Sequence, residues 1–152
     1  MIRRTARLAL ALAVLTLPAA AGQIGPYKDD LFAYPATLKS DDGGAYLAVD
    51  YNEQRDINAR DEVPERRVRR PYYSLGVRSA QHDLKLRSAS GDVRFFAVGK
   101  TEGASIVTIY LHGKGGSRRQ GVDDFTFGGN FNRIKNLMVD NDGLYLSPDF
   151  SD

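Results

Sequence analysis

The run IVTIYL at residues 106–111 constrains the fold more than any other stretch of the chain. It is nearly continuous in β-branched and aromatic residues. Such a run suits a central strand buried on both faces, as in a parallel sheet covered by helices. A glycine-rich stretch follows, and then NFNRIKNLMV at residues 130–139 places Phe131, Ile134, Leu137 and Met138 at helical spacing. Asn130 fits an N-cap, and Asn141, Asp142 and Gly143 fit a stop. Leu144, Tyr145 and Leu146 read as the next strand. Strand, loop, helix and strand in that order predict a βαβ crossover.

Upstream, residues 84–87 (LKLR) alternate apolar and polar, as a half-buried strand does. Ser90, Gly91 and Asp92 read as a turn, and residues 93–98 (VRFFAV) as the partner strand of a β-hairpin. His82 falls just before the hairpin and reads as an exposed loop residue. Residues 72–77 read as a strand, and so do residues 46–51 after the turn signal Asp41, Asp42, Gly43 and Gly44. Residues 23–40 read as an extended arm with a short turn over 28–32. Between 52 and 70 the chain is dense in charge. Arg66, Arg67, Arg69 and Arg70 could form a basic docking patch. Interleaving with Asp56, Asp61, Glu62 and Glu65 favours a solvated loop with one helical turn.

The N-terminus predicts export. Arg3, Arg4 and Arg7 make a positive start, residues 8–17 are apolar apart from Thr16, and Pro18 precedes the small residues Ala19, Ala20 and Ala21. That is a signal peptide with a cleavable site. The run is shorter than the ~20 residues a bilayer span needs. The membrane is therefore a transient partner, through the signal alone, and the mature chain is secreted or periplasmic. Removing Arg3, Arg4 and Arg7 from 21 basic residues leaves 18 against 19 acids, a net charge of −1. The formal +2 of the whole chain thus gives no argument for nucleic-acid binding. The absence of cysteine excludes disulfides, thiol catalysis and cysteine-ligated zinc. Roughly 130 residues remain, enough for one modest core without staples.

Chemistry concentrates at His112, Gly113, Lys114, Gly115 and Gly116. A strand delivers this turn to the carboxyl edge of a sheet, where open α/β folds bind ligands. Glycines there let backbone N–H groups face a phosphate or an oxyanion. A Walker A loop does not fit, because Lys114 lies between glycines and the helix starts well downstream. The dinucleotide fingerprint lacks its third glycine. A tight glycine turn without chemistry stays open as the plainer reading.

The stretch YLHGKGGSR resembles the oxyanion loop of the α/β-hydrolase superfamily, where an HG motif follows the third strand. The hairpin, the helix at 130–139 and LYLSPDF are similar to that family's first two strands, first helix and fourth strand. The resemblance implies an α/β fold: the N-terminal portion of an α/β-hydrolase-like sheet, with an antiparallel hairpin leading into parallel strands and a crossover helix. It divides the chain into a signal peptide (1–21), an N-terminal extension (22–83) and a partial hydrolase-like domain (84–152). It implies an exported serine hydrolase acting on a small acyl compound, with no cofactor and no metal. Lys114 and Gly115 would give N–H groups to the oxyanion hole, His112 and Gly113 would shape the loop, and Gly116, Ser117 and Arg118 would line its rim. The family's Gly-x-Ser-x-Gly elbow, acid and histidine are missing. These 152 residues therefore read as the front, inert part of a longer enzyme. The alternative is a small exported binding or interaction protein, complete as it stands.

Overall fold

The computed structural model describes residues 24–89 and 91–150. The expected signal peptide at 1–21 lies outside the described residues, as does Ser90 of the hairpin turn. The described chain begins with a short helix α1 (Asp29–Phe32), then β1 (Thr37–Asp41) and β2 (Tyr46–Val49), which pair antiparallel. Next come a helical turn α2 (Glu53–Asp56) and a small hairpin of β3 (Asp61–Val63) and β4 (Arg67–Val68). Two 3-10 segments, Arg70–Tyr72 and Leu75–Ala80, occupy the place where a strand was expected over 72–77. Pro71 in the first of them supplies no N–H for a ladder.

The main sheet holds β5 (Gln81–Ser88), β6 (Gly91–Gly99), β7 (Val107–Ile109) and β8 (Leu144–Pro148) in the order β5-β6-β8-β7. The helix α3 (Asn130–Asp140) lies between β7 and β8 in the chain. The hairpin β5/β6 is longer than expected and takes in His82, which pairs with Ala97 and stays exposed.

The expected α/β-hydrolase-like parallel sheet is not what forms. β5/β6 and β6/β8 are both antiparallel, and β7/β8 alone is parallel. The structure is a small, sheet-rich mixed unit with few helices. The run at 106–111 misled for a local reason. Its strand is three residues long and stands at the edge of the sheet, with one side covered and the other bare. Thr108 points to the covered side, where its hydroxyl donates to Met138 Sδ at 3.2 Å. Val107 and Ile109 point the other way and are 54% and 56% exposed. The β-branched composition reported a strand correctly but carried no information on how many faces are buried.

One face of the sheet packs on α3 and on the segment before β5. Val77, Val98, Val122, Met138 and Tyr145 form the core, with Phe96, Ile106, Tyr110, Ile134 and Leu137 against it. The Tyr145 hydroxyl donates to Gly121 O at 2.6 Å. Gly121 must be glycine, since a Cβ there would stand 2.5 Å from Ser147 Oγ and against the Tyr110 ring. The helix ends at Asp140, and Asp142 in left-handed conformation carries the chain out, with Gly143 N–H donating to Met138 O at 2.7 Å.

The opposite face has no cover among the described residues. Leu86, Val93, Phe95, Ile109, Leu146 and Pro148 line an open apolar groove of about 200 Å³ on it. An apolar face beside an edge strand with unpaired backbone groups promotes association. The chain by itself should therefore be oligomeric in size-exclusion chromatography with light scattering. Ile109→Lys combined with Leu86→Lys should shift it to monomer. A wild-type chain that is already monomeric would contradict this.

Candidate functional site

β7 continues as a single bond beyond its last residue, since Tyr110 N–H donates to Leu146 O at 2.8 Å. Leu111 is exposed, and His112 then turns inward. The His112 ring is buried and stacks on Phe150, centroid to centroid 4.1 Å and 11° from parallel. Its Nδ1 lies 2.9 Å from Gly113 O, so the tautomer protonated there donates to that carbonyl. Its Nε2 is buried without a partner among the described residues.

Residues 113–116 form a tight turn closed by Gly116 N–H donating to Gly113 O at 2.9 Å. Gly115 takes the third position with φ +73°. Positive φ at that position is why such turns use glycine. A Cβ on Gly115 would meet nothing within 4 Å, so only its torsion is demanding there. At Gly116 the demand is space, because a Cβ would stand 2.9 Å from Gly113 O and from His112 Cβ. Residues 113–116 are all exposed. The structure therefore brings His112, Gly113, Lys114 and Gly115 into one turn at the carboxyl end of β7. It sits beside Asp149 and Phe150, which follow the carboxyl end of β8.

Arg118 anchors this turn from below. Its N–H donates to Asp149 Oδ1 at 2.7 Å, and its guanidinium reaches Asp149 Oδ2 at 2.6 Å and Asp83 Oδ2 at 3.0 Å. The Ser147 hydroxyl donates to Arg118 O at 2.8 Å. Arg118 is buried over the Phe96 ring and does not stand on the rim of the loop. The resemblance to the hydrolase loop implied a place on the rim. The available signal was the acid at 149 in LYLSPDF, directly after the strand β8 that neighbours the loop. Ser117 is half-buried.

No protein-family model, no curated protein and no solved structure matches the chain. Among the described residues no group of three or more metal-ligating side chains could hold a metal ion. No helix among them is long and apolar enough to cross a membrane.

The ion pairs of this region set a pH response. The Arg118 guanidinium holds the Asp83 carboxyl below its ordinary value, and Arg118 N–H chiefly does the same for Asp149. Farther off, the Arg55 guanidinium and Asn52 N–H bring Asp56 from 3.8 to about 2. Carboxyls depressed in the folded state stabilise it above their unfolded values, and that stability is lost as pH falls through the folded ones. The thermal midpoint should thus fall as pH drops from the unfolded value of 3.8 towards about 2. Arg118→Met should flatten part of that decline, since Asp83 and Asp149 lose their partner. An unchanged slope in that variant would contradict the assignment.

Proposed function

We propose that the chain carries the oxyanion loop of an exported serine hydrolase acting on esters or similar small acyl compounds. Attack on an acyl carbonyl places negative charge on its oxygen, and preorganised N–H donors lower the barrier by binding that charge. In this reading Lys114 supplies such a donor at the exposed head of the turn, and Gly115 sets the turn's shape through its positive φ. His112, stacked on Phe150, and Gly113 shape it, and Arg118 holds its base on Asp149. The nucleophile, acid and base come from polypeptide outside these residues, and no cofactor or metal is required.

The observation that carries the reading is the exposed glycine turn at the carboxyl end of β7, with Gly115 at positive φ. The likeness of YLHGKGGSR to the α/β-hydrolase oxyanion loop adds to it. Sequencing the native message past the codon for Asp152 tests the proposal. The expected result is continued coding into a Gly-x-Ser-x-Gly strand-turn-helix. A stop codon there, with a stable monomeric product, would overturn it in favour of a small exported binding protein.

A further inference from the structure

At the amino end of α3 lies a small cavity of about 170 Å³, lined by Phe32, Tyr34, Ile57, Arg60, Asn130 and Arg133. Arg60 is the unusual member. It is only 6% exposed, yet among the described residues its guanidinium makes no hydrogen bond and no ion pair. It lies 4.9 Å from the Phe32 ring centroid and 5.6 Å from that of Tyr72. Aromatic faces compensate the charge in part, but they do not satisfy five N–H donors. An arginine this buried, with no acceptor among the described residues, gains from one supplied by a ligand.

The nearby acids are already engaged. Asp56 is taken by Arg55 at 2.7 Å and by Asn52 N–H at 2.8 Å. Asp29 is taken by Arg133 Nη2 at 2.6 Å. Asn130, on the cavity wall, is the first residue of α3, an eleven-residue helix whose N-cap is Gly129. No side chain caps that end and no acid stands in its first turn. Asn130 N–H already donates to Phe127 O, and the amino end beyond it has no side-chain cap and no acid to offset its positive potential.

We propose that this cavity binds a phosphate group, held by Arg60 and by the amino end of α3, with Arg133 at its side. A planar guanidinium fork and a helix amino terminus are the two donor arrangements that suit phosphate oxygens. The cavity, about 170 Å³, has room for a phosphate group. The half-exposed Tyr34 ring leaves room at the mouth for the organic part of a small monoester.

Titration calorimetry on the full exported chain, with inorganic phosphate, phenyl phosphate and acetate as probes, tests this. Inorganic phosphate should bind, and acetate should bind far more weakly. Arg60→Met should weaken phosphate by about tenfold or more, as expected for loss of a charge-assisted fork. Arg133→Gln, altering a partly exposed side chain, should weaken it by a smaller factor and serves if Arg60→Met fails to fold. Phenyl phosphate binding more tightly than inorganic phosphate would identify the head of a monoester, and equal binding the free ion. No heat with either phosphate, affinity unchanged in the folded variants, or acetate binding as tightly as phosphate would overturn the proposal.

Discussion

In the proposed hydrolase, replacing Gly115 by Val should lower turnover of a short-chain ester by roughly a hundredfold or more, or about 2.7–4 kcal/mol, the usual effect of losing one oxyanion donor. The cause is torsional. Gly115 has φ +73°, and a β-branched residue does not settle there, although a side chain would find open space around it. The turn must rotate to accommodate Val, and the N–H groups at its head rotate with it. Gly116→Ala should act through contact with the Gly113 carbonyl and His112. Lys114→Ala leaves the backbone in place and should be mild. Steady-state kinetics with KM and kcat separated provides the check. If Lys114→Ala abolished activity while Gly115→Val did not, the side-chain charge would be the active feature and the oxyanion assignment would be wrong.

Asp124→Ala should cost about 3–5 kcal/mol of folding stability, because it leaves a buried lysine without its counter-ion. Lys135 is fully buried on α3, with its Nζ 2.7 Å from Asp124 Oδ1, 2.7 Å from Val122 O and 3.1 Å from Gln81 Oε1. Burial pushes Asp124 upward, but Lys135, Asn132 and Arg78 together hold it below the ordinary carboxylate value. Native domains are stable by only ~5–15 kcal/mol, so the variant should lose much of its cooperative transition. Replacing the pair together, Asp124→Leu with Lys135→Met, should recover a large part of the loss, since apolar side chains of similar volume often substitute for a buried pair without penalty. Urea unfolding of the three proteins measures this. A single variant as stable as wild type would contradict the role given to the pair.

That buried pair also marks where the sequence stopped being informative. The spacing of Phe131, Ile134, Leu137 and Met138 located α3 within a residue, and its stop at 141–143 is where the helix ends. Its buried residues are different: Asn132, Lys135 and Asn136 join Met138 inside. Asn132 bonds Asp124 and the Ser74 backbone, and Asn136 bonds Asn132. A polar stripe reads as a solvent face unless its acceptors are known, and these come from segments distant in the chain. The hairpin β5/β6 was legible because alternation and a glycine turn are local. Strand order was not, since nothing in residues 106–111 says whether β7 is central or at an edge. Likewise the clustering of His112, Gly113, Lys114 and Gly115 followed from adjacency, whereas the Arg118 clasp on Asp83 and Asp149 spans 35 and 31 residues. The 3-10 segments before β5 and the short hairpin β3/β4 carry no strong periodic signal.

The most direct measurement is made on the native protein, captured by an antibody against residues 24–150 and treated with a fluorophosphonate that reacts with activated serines. The expected result is a polypeptide that starts near Gly22, extends past Asp152 and takes up the label, with labelling lost in Gly115→Val and retained in Lys114→Ala. An unlabelled polypeptide ending at Asp152 would contradict the assignment of the glycine turn to acyl hydrolysis.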